Sequence, residues 1–292
     1  MSRISTSTAN ADPAAWLQTL SARALKVRTE LYPEPGRATM LWHEWGSGEP
    51  LVLLHGGSGS WTHWVRNIDA LASSRRVLAA DLPGLGDSDL PEAPYSAESL
   101  AAMVSRGIDA LLPDSQPFDL VGFSFGGILG GHVALAQKRR IRSLTIAGAP
   151  AFGLPSSGPI NEVVPVADEL PADQARAIHE HNLKLFMIAR PERVDALAIH
   201  LHGENIARAR LRSRKIARSD TLARALRQVP CKLAGLFGSE DVSVHPSVDA
   251  HRTLFEEIQP GCRFEVLDGS GHWAAYEDHE RFNTRLAVLL DD

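Results

Sequence analysis

A serine flanked by glycines stands between a strand-like and a helix-like segment of the chain. The stretch Gly122-Phe123-Ser124-Phe125-Gly126 follows the apolar residues Leu120 and Val121 and precedes an apolar run from Ile128 to Gln137. A sharp strand-to-helix turn needs small residues two positions on either side of the serine, because a side chain there would collide with the strand or the helix. The pattern predicts an exposed nucleophilic hydroxyl at the positive end of a helix dipole. An ordinary glycine-rich turn has the same pattern, so residues elsewhere in the chain must decide between the two interpretations.

The partners of a nucleophilic serine are a general base and a carboxylate that orients the base. Among twelve histidines, His272 is the candidate base, because its loop follows the predicted strand Arg263 to Leu267. Asp241 follows the predicted strand Lys232 to Phe237 in the same way. Active sites of open α/β sheets lie at the C-terminal ends of strands. We prefer Asp241 to its neighbour Glu240, since a residue further out on the loop can turn back toward the histidine.

Two backbone N–H groups are candidates to hold the negative oxygen of an intermediate. One belongs to Phe125, directly after the serine, and the other to Gly57, in a glycine-rich loop after the predicted strand Leu51 to Leu54. Donors of this kind contribute about 3–4 kcal/mol each. The loop could instead cradle a dinucleotide phosphate, but that motif would require a glycine where Thr62 stands. We therefore predict an oxyanion hole formed by Gly57 and Phe125.

The composition predicts a soluble globular protein. The chain has 292 residues, 44% of them hydrophobic and 22% charged, with a net charge of −5 and a pI near 6.2. The weak negative charge argues against a nucleic-acid partner. The first ten residues lack the pattern of a secretory signal, and no apolar run approaches the roughly 20 residues needed to cross a bilayer. We expect a cytoplasmic protein with no membrane partner.

Short apolar strands and amphipathic helices alternate along most of the chain, which predicts an α/β fold with a mainly parallel sheet flanked by helices. An N-terminal helix is expected from Pro13 to about Val27, with Trp16, Leu20 and Leu25 facing inward. The strand Thr39 to Trp45 and the one that follows it are expected to form an antiparallel hairpin at one edge of the sheet. The predicted organisation is an N-terminal extension (1–36), a core (37–150 and 230–292) and an insertion (151–229).

The alternation breaks in the insertion, where prolines punctuate a loop and helices follow without an intervening strand. The expected helices are Ala172 to Ala189, Val194 to His202 and Asn205 to Ile216. Helices inserted on the side where strand ends carry chemistry usually form a cover. We therefore predict a helical lid over the site.

These motifs together resemble the α/β-hydrolase family from about Arg37 to Leu290. His55-Gly56-Gly57, Asp81 to Ser88, Gly122 to Gly127, Gly238 to Asp241 and Gly271-His272 occur in the family's order. That order, with the nucleophile first, then the acid and then the base, implies a Ser-Asp-His triad. The stretch from Gly271 to Asn283 is similar to enzymes that hydrolyse carbon–carbon bonds of aromatic ring-cleavage products. The Phe-Ser-Phe context of the serine departs from the Asn-Ser-Met of many of those enzymes.

The narrower resemblance implies an acidic substrate, for which the basic lid residues Arg208 and Arg210 are candidate anion partners. A solvated lid surface is the alternative interpretation. Trp61, Phe123 and Trp273 are candidates to line an apolar pocket near the serine, although core packing explains each equally well.

No cofactor or metal is expected. His179, His181, His200 and His202 form two His-x-His pairs, but residues two apart on a helix point to different faces. Cys231 and Cys262 are expected to be reduced thiols near one another on neighbouring strands. The predicted function is a metal-free serine hydrolase acting on an ester or on a carbon–carbon bond. A generic carboxylesterase or lactonase, and a catalytically silent ligand-binding protein on the same fold, are the alternatives. Assembly into a homo-oligomer stays open.

Overall fold

The computed structural model describes residues 6–154, 158–167, 169–244 and 247–291. Its centre is an eight-stranded sheet in the order β1-β2-β4-β3-β5-β6-β7-β8. The strands are β1 Leu25–Glu30, β2 Thr39–Trp45, β3 Glu49–Leu54, β4 Arg75–Ala80, β5 Phe118–Phe123, β6 Ile141–Ala147, β7 Lys232–Gly238 and β8 Arg263–Leu267. Strands β3 to β8 pair in parallel, and β1 and β2 are antiparallel additions at one edge. The predicted α/β fold with a mainly parallel sheet is confirmed.

Helices cover both faces of the sheet. They are α1 Thr6–Ala11, α2 Pro13–Ala22, α3 Ile68–Leu71, α4 Ala97–Leu111, α5 Phe125–Ala136, α6 Ala172–Asn182, α7 Ala196–Ala207, α8 Arg214–Ala217, α9 Thr221–Leu226, α10 Val248–Ile258, α11 Ala274–Glu277 and α12 His279–Asp291. One hydrophobic cluster joins α4 and α5 to one face of the sheet, and a second joins α2, α12 and the insertion to the other. Strands β3 and β5 are buried along almost their whole length, as expected of central strands covered on both faces.

The N-terminal region differs from the prediction. Helix α2 ends at Ala22 rather than near Val27, and Leu25 begins a strand whose residues pair with β2 from Glu44 back to Thr39. Trp16 and Leu20 are buried as expected, but Leu25 is 61% exposed. The edge hairpin is therefore formed by β1 and β2. Strand β2 pairs with β4 instead of β3, because β3, which is apolar from Leu51 to Leu54, takes a central position.

The insertion between β6 and β7 contains helices and, among its described residues, no strand. Helix α6 continues into a π-helix, Leu183–Met187. The helix predicted from Asn205 to Ile216 is wrong, because α7 ends at Ala207. The next segment turns toward the core, where the N–H groups of Arg210 and Leu211 both donate to the carbonyl of Gly84, at 3.0 and 3.1 Å.

No helix among the described residues is long and apolar enough to cross a membrane.

Candidate active site

Ser124 lies on a strained turn between β5 and α5. Its backbone has φ 51° and ψ −115°, a conformation in which residues other than glycine are rare. The turn is tight on both sides: a Cβ on Gly122 would lie 2.5 Å from the carbonyl oxygen of Gly126, and a Cβ on Gly126 would lie 2.3 Å from that of Leu54. Only glycine fits these two positions, so the sequence pattern permits the strained turn that presents the hydroxyl.

The structure brings the three predicted triad residues together. Nε2 of His272 lies 3.0 Å from Oγ of Ser124, and Nδ1 of the same ring lies 2.9 and 3.0 Å from the two carboxylate oxygens of Asp241. Asp241 and His272 are buried, at 5% and 4% exposure. Because a carboxylate only accepts hydrogen bonds, Nδ1 carries the proton and Nε2 offers its lone pair to the serine hydroxyl. This arrangement can remove a proton from Ser124.

The loop that carries Asp241 contains one polar partner that the sequence reasoning missed. Ser243 donates both its backbone N–H and its hydroxyl to Oδ1 of Asp241, at 2.9 and 2.7 Å. A serine two positions after an aspartate is a common turn pattern and could have signalled this contact. The adjacent Glu240, the alternative orienting residue, is exposed and lies near the hydroxyl of Ser239.

The N–H groups of Gly57 and Phe125 are both available to a ligand. In the described part of the chain neither has a hydrogen-bond acceptor, and both residues line the cavity at the serine. The N–H of Gly56, by contrast, donates to Nδ1 of His63 at 3.2 Å. The free N–H groups are therefore those of the two residues predicted to form the oxyanion hole.

Two buried histidines brace the loop that carries Gly57. The N–H of Leu82 donates to Nε2 of His55 at 2.9 Å, which leaves the proton on Nδ1, and Nδ1 donates to the carbonyl of Gly56 at 2.7 Å. Burial lowers the pKa of His55 to about 4 and that of His63 well below its usual value. Both rings are therefore neutral and can act as fixed hydrogen-bonding groups at neutral pH.

A cavity of about 260 Å³ opens over Ser124. Its floor comes from the loop after β3, the serine turn and the loop of His272. Its other walls come from the insertion, with Pro150 and Ser243 from the loops after β6 and β7. The apolar lining residues are Phe123, Phe125, Pro150, Ile160, Val163, Phe186, Met187, Ile206 and Ala217. A space of this size and lining suits a small, largely apolar molecule.

Two of the predicted pocket aromatics are packed into the core instead. Phe123 lines the cavity, but Trp61 and Trp273 are not among its lining residues. The ring of Trp61 packs against Trp45 with centroids 5.2 Å apart, and that of Trp273 stacks on Tyr276 at 4.3 Å. Both indoles are packed in the core, as the alternative interpretation predicted.

The predicted anion partners lie away from the cavity. Arg208 pairs with Glu204 and lies 3.5 Å from a carboxylate oxygen of Asp87, while Arg210 donates to the carbonyls of Gly86 and Ser88. Both were predicted to lie on a helix from Asn205 to Ile216, but α7 ends at Ala207, before either residue. The cations that line the cavity are Arg214 and Arg218, one turn apart around α8. Arg218 also donates to Asn161 at 2.7 Å.

Two histidines of the insertion are in contact although they lie on different helices, α6 and α7. Nδ1 of His179 lies 2.9 Å from Nδ1 of His202, and burial together with His179 lowers the pKa of His202 to about 4. No group of three or more residues suited to bind a metal ion occurs among the described residues. Cys231 and Cys262 are both free, and burial raises the pKa of the Cys231 thiol to about 11.

Comparisons with known proteins agree with this geometry. The alpha/beta hydrolase family matches residues 51–285. The 2-hydroxymuconate semialdehyde hydrolase of Pseudomonas sp. strain CF600 is 34% identical, over 85% of this chain and 89% of that protein. The pimeloyl-[acyl-carrier protein] methyl ester esterase of Aeromonas hydrophila is 41% identical over 37% of this chain and 41% of its own length.

Solved structures show the same fold. The meta-cleavage product hydrolase CumD of Pseudomonas fluorescens IP01 aligns with a TM-score of 0.70 and 23% identity over 87% of this chain and 94% of its own. The esterase RhEst1 of Rhodococcus sp. ECU1013 aligns with a TM-score of 0.74 and 23% identity over 92% and 99% of the two chains. Because the family match covers most of the sequence and the 34% identical relative aligns along most of its length, the chain belongs to the alpha/beta hydrolase family and is a hydrolase.

Proposed function

We propose that this hydrolase uses Ser124 as its nucleophile, His272 as general base and Asp241 as the group that orients the imidazole. The observation that carries the proposal is the continuous set of contacts from Ser124 Oγ through the imidazole to Asp241, at 3.0 and 2.9 Å, at the floor of the cavity. His272 takes the hydroxyl proton as Ser124 attacks a carbonyl carbon. The imidazolium that forms is stabilised by Asp241 and then protonates the leaving group.

The negative oxygen of the intermediate is held by the N–H groups of Gly57 and Phe125. Both belong to rigid elements, since Gly57 follows the braced His55 loop and Phe125 begins α5. Preorganised donors of this kind stabilise the developing charge without further rearrangement. Water activated by the same imidazole then releases the acyl group from Ser124. The residues from 151 to 229 act as a lid that limits access of bulk water to this step.

Labelling with a fluorophosphonate probe tests the nucleophile. The probe forms a phosphonyl ester on the serine oxygen, and peptide mapping of the folded protein should place the adduct on Ser124. Ser124→Ala should abolish both the adduct and ester turnover. Ser219→Ala is the matched control, because its hydroxyl bonds the carbonyl of Ile216 outside the cavity lining. An unlabelled Ser124 in folded protein would disprove the proposal.

The substrate is proposed to be a small, largely apolar carbonyl compound, either an ester or a carbon–carbon bond of a ring-cleavage product. Two observations favour the second candidate: the 34% identical relative is a 2-hydroxymuconate semialdehyde hydrolase, and two arginines line the cavity. Cleavage of a carbon–carbon bond additionally requires delivery of a proton to the leaving carbon, and His272 is placed to supply it. The apolar rings of Phe123 and Phe125 beside the serine suit either kind of substrate.

A turnover panel separates the two bonds. Aryl esters of increasing chain length are compared with dienoate ring-cleavage products, first for the unsubstituted enzyme and then for Arg214→Ala and Arg218→Ala. If an acidic substrate is bound by these arginines, its KM should rise about tenfold or more while the KM of neutral esters stays near its original value. Arg208→Ala is the control, since Arg208 pairs outside the cavity. Equal KM changes for acidic and neutral substrates would remove the anion site. Failure of every substrate, together with no adduct, would favour a ligand-binding protein.

A further inference from the structure

The carboxylate of Asp241 receives more donors than an orienting residue needs for one imidazole. Oδ1 accepts the Nδ1–H of His272 at 2.9 Å, the N–H of Ser243 at 2.9 Å and the hydroxyl of Ser243 at 2.7 Å. The hydroxyl bond is the shortest of the three. Since hydrogen bonds to an ionised carboxylate are among the strongest in proteins, the side chain of Ser243 competes directly with His272 for the same oxygen.

The hydroxyl also contacts the imidazole itself. Oγ of Ser243 lies 2.9 Å from Nδ1 of His272, so Ser243, Asp241 and His272 form a closed triangle. With the hydroxyl proton directed to Oδ1, the oxygen lone pairs face the Nδ1–H of the ring. The proton on Nδ1 is then shared between a carboxylate and a hydroxyl oxygen. The ring is held in the tautomer that leaves Nε2 free for Ser124.

We propose that Ser243 is a positioning residue that fixes the Asp241 carboxylate against His272 and moderates how strongly that carboxylate stabilises the imidazolium. This inference rests on the proposed role of His272 as the base. A carboxylate that already accepts a hydroxyl hydrogen bond has less negative charge to share with the imidazolium that forms when His272 takes the serine proton. Loss of the hydroxyl should make His272 more basic.

The surroundings of the triangle are mostly uncharged. The rings of Phe123 and Phe186 pack against His272 with centroids 4.9 and 5.1 Å away, and a Cβ built on Gly148 would lie 2.8 Å from Oδ2 of Asp241. The other titratable rings nearby are His63 and His202, which burial keeps neutral, and the cations on the cavity wall are Arg214 and Arg218. The buried carboxylate of Glu277 accepts the N–H of Gly271, next to the ring, at 2.8 Å. These groups are the same in a Ser243 variant and in the unsubstituted enzyme. A change in the pH profile therefore reports the hydroxyl.

The experiment compares Ser243→Ala with Ser243→Thr, which keeps the hydroxyl, and with the control Ser239→Ala on the same loop. The acidic limb of kcat/KM for an aryl ester should move up by about 0.5 to 1 pH unit in Ser243→Ala, with roughly a three- to tenfold loss of rate on the acidic side. Ser243→Thr should restore the limb, and Ser239→Ala should leave it in place. Thermal melting checks that each variant is folded.

A raised KM with an unmoved acidic limb would overturn the proposal, because Ser243 would then only line the cavity. The titration of the His272 ring protons, followed by nuclear magnetic resonance in Ser124→Ala and in Ser124→Ala with Ser243→Ala, gives a second readout that needs no turnover. The pKa of His272 should be higher in the double variant, and equal values would also overturn the proposal. If the His272 titration shifts as expected but the unsubstituted protein forms no fluorophosphonate adduct at Ser124, the proposed function fails. The proposed contact of Ser243 with Asp241 and His272 is then still supported.

Discussion

The carboxylate of Glu277 accepts the backbone N–H of Gly271, the residue before His272, at 2.8 Å. Glu277 is fully buried, and its oxygens also accept the N–H groups of Ala189 at 3.2 Å and of Arg190 at 2.7 Å. The same side chain therefore joins the His272 loop to the end of the π-helix of the insertion. The position of the His272 loop and the position of the cavity wall therefore depend on one buried carboxylate.

We expect Glu277→Gln to destabilise the protein and to lower kcat. An amide replaces one acceptor oxygen by an NH₂ group that faces N–H donors, and breaking such a buried charged network costs about 3 kcal/mol in free energy of unfolding. Urea denaturation measures the loss. Glu280→Gln, an exposed change of the same kind on α12, should cost less than about 0.5 kcal/mol. Equal effects of the two substitutions would contradict this role of Glu277.

The serine turn should not tolerate a side chain. In Gly126→Ala the new methyl group would approach the carbonyl oxygen of Leu54 to 2.3 Å, and backbone cannot move away as a side chain can. The free energy of unfolding should fall by about 3 kcal/mol or more, with loss of activity. In Gly130→Ala, one turn along α5, the neighbour at 2.9 Å is the end of the Leu120 side chain. That control should change stability by less than about 1 kcal/mol, and a reversed order in urea unfolding would refute the expectation.

Two substitutions of His63 test the roles of its two ring nitrogens separately. In His63→Asn, the amide oxygen can take the place of Nδ1 and still accept the N–H of Gly56, whereas in His63→Gln the amide lies near the position of Nε2. Both variants lose the ring that packs against Phe123 and Trp273. Because the Gly56 bond braces the loop of Gly57, we expect kcat for aryl esters to be about tenfold lower in His63→Gln than in His63→Asn. Steady-state kinetics on one ester decides, and equal kcat values would rule out the bracing role.

Stability should fall as the solution is made acidic. Burial lowers the pKa of His55 to about 4 and, with Lys26, lowers that of His43 to about 3, both below the value of about 6.5 of an unfolded chain. Each buried neutral ring therefore stabilises the fold fully above pH 6.5, and this contribution is lost as the pH falls toward the folded pKa. Asp81 has the opposite sign, since burial raises its pKa to about 6 and its favourable contribution is lost as the pH rises from about 4 to 6.

Urea unfolding between pH 7.5 and pH 4.5 measures this dependence. The two histidines together outweigh Asp81, so the free energy of unfolding should decrease by up to about 1.4 kcal/mol per pH unit for each histidine. His43→Phe should flatten the slope, because it removes one titrating ring whose Nδ1 is buried without a partner among the described residues. His181→Gln, which replaces an exposed histidine, is the control. A slope that is equally steep in His43→Phe would exclude His43 as a contributor.

The central part of the fold and the approach of Ser124, Asp241 and His272 to one another could be predicted from the sequence. Ser124, Asp241 and His272 each follow a short strand, and parallel strands bring their C-terminal ends to one edge of the sheet. Local turn chemistry was equally informative, because glycines at 122 and 126 leave room for a sharp turn that a side chain at either position would block. These inferences needed only the order of elements and their periodicity.

The rest depended on contacts between distant segments. The region after α7 has good helix formers, and nothing in it indicates that Arg210 and Leu211 would donate to the carbonyl of Gly84, more than a hundred residues earlier. That tertiary contact ends the helix and moves the cationic lining residues to Arg214 and Arg218. The strand that begins at Leu25 was missed for a similar reason, since its backbone is held in strand conformation by pairing with β2.

The close approach of Gly148 to Asp241 restricts how the site could be rebuilt. Gly148 follows β6 with φ 53°, and a side chain there would start 2.8 Å from Oδ2 of Asp241. The end of β6 thus packs directly against the carboxylate of Asp241, which follows β7. A side chain at position 148 could therefore be accommodated only if Asp241 were moved or removed, and it would start from a backbone conformation that disfavours it. In this hydrolase the ends of β6 and β7 cannot both carry a side chain at this point of the sheet.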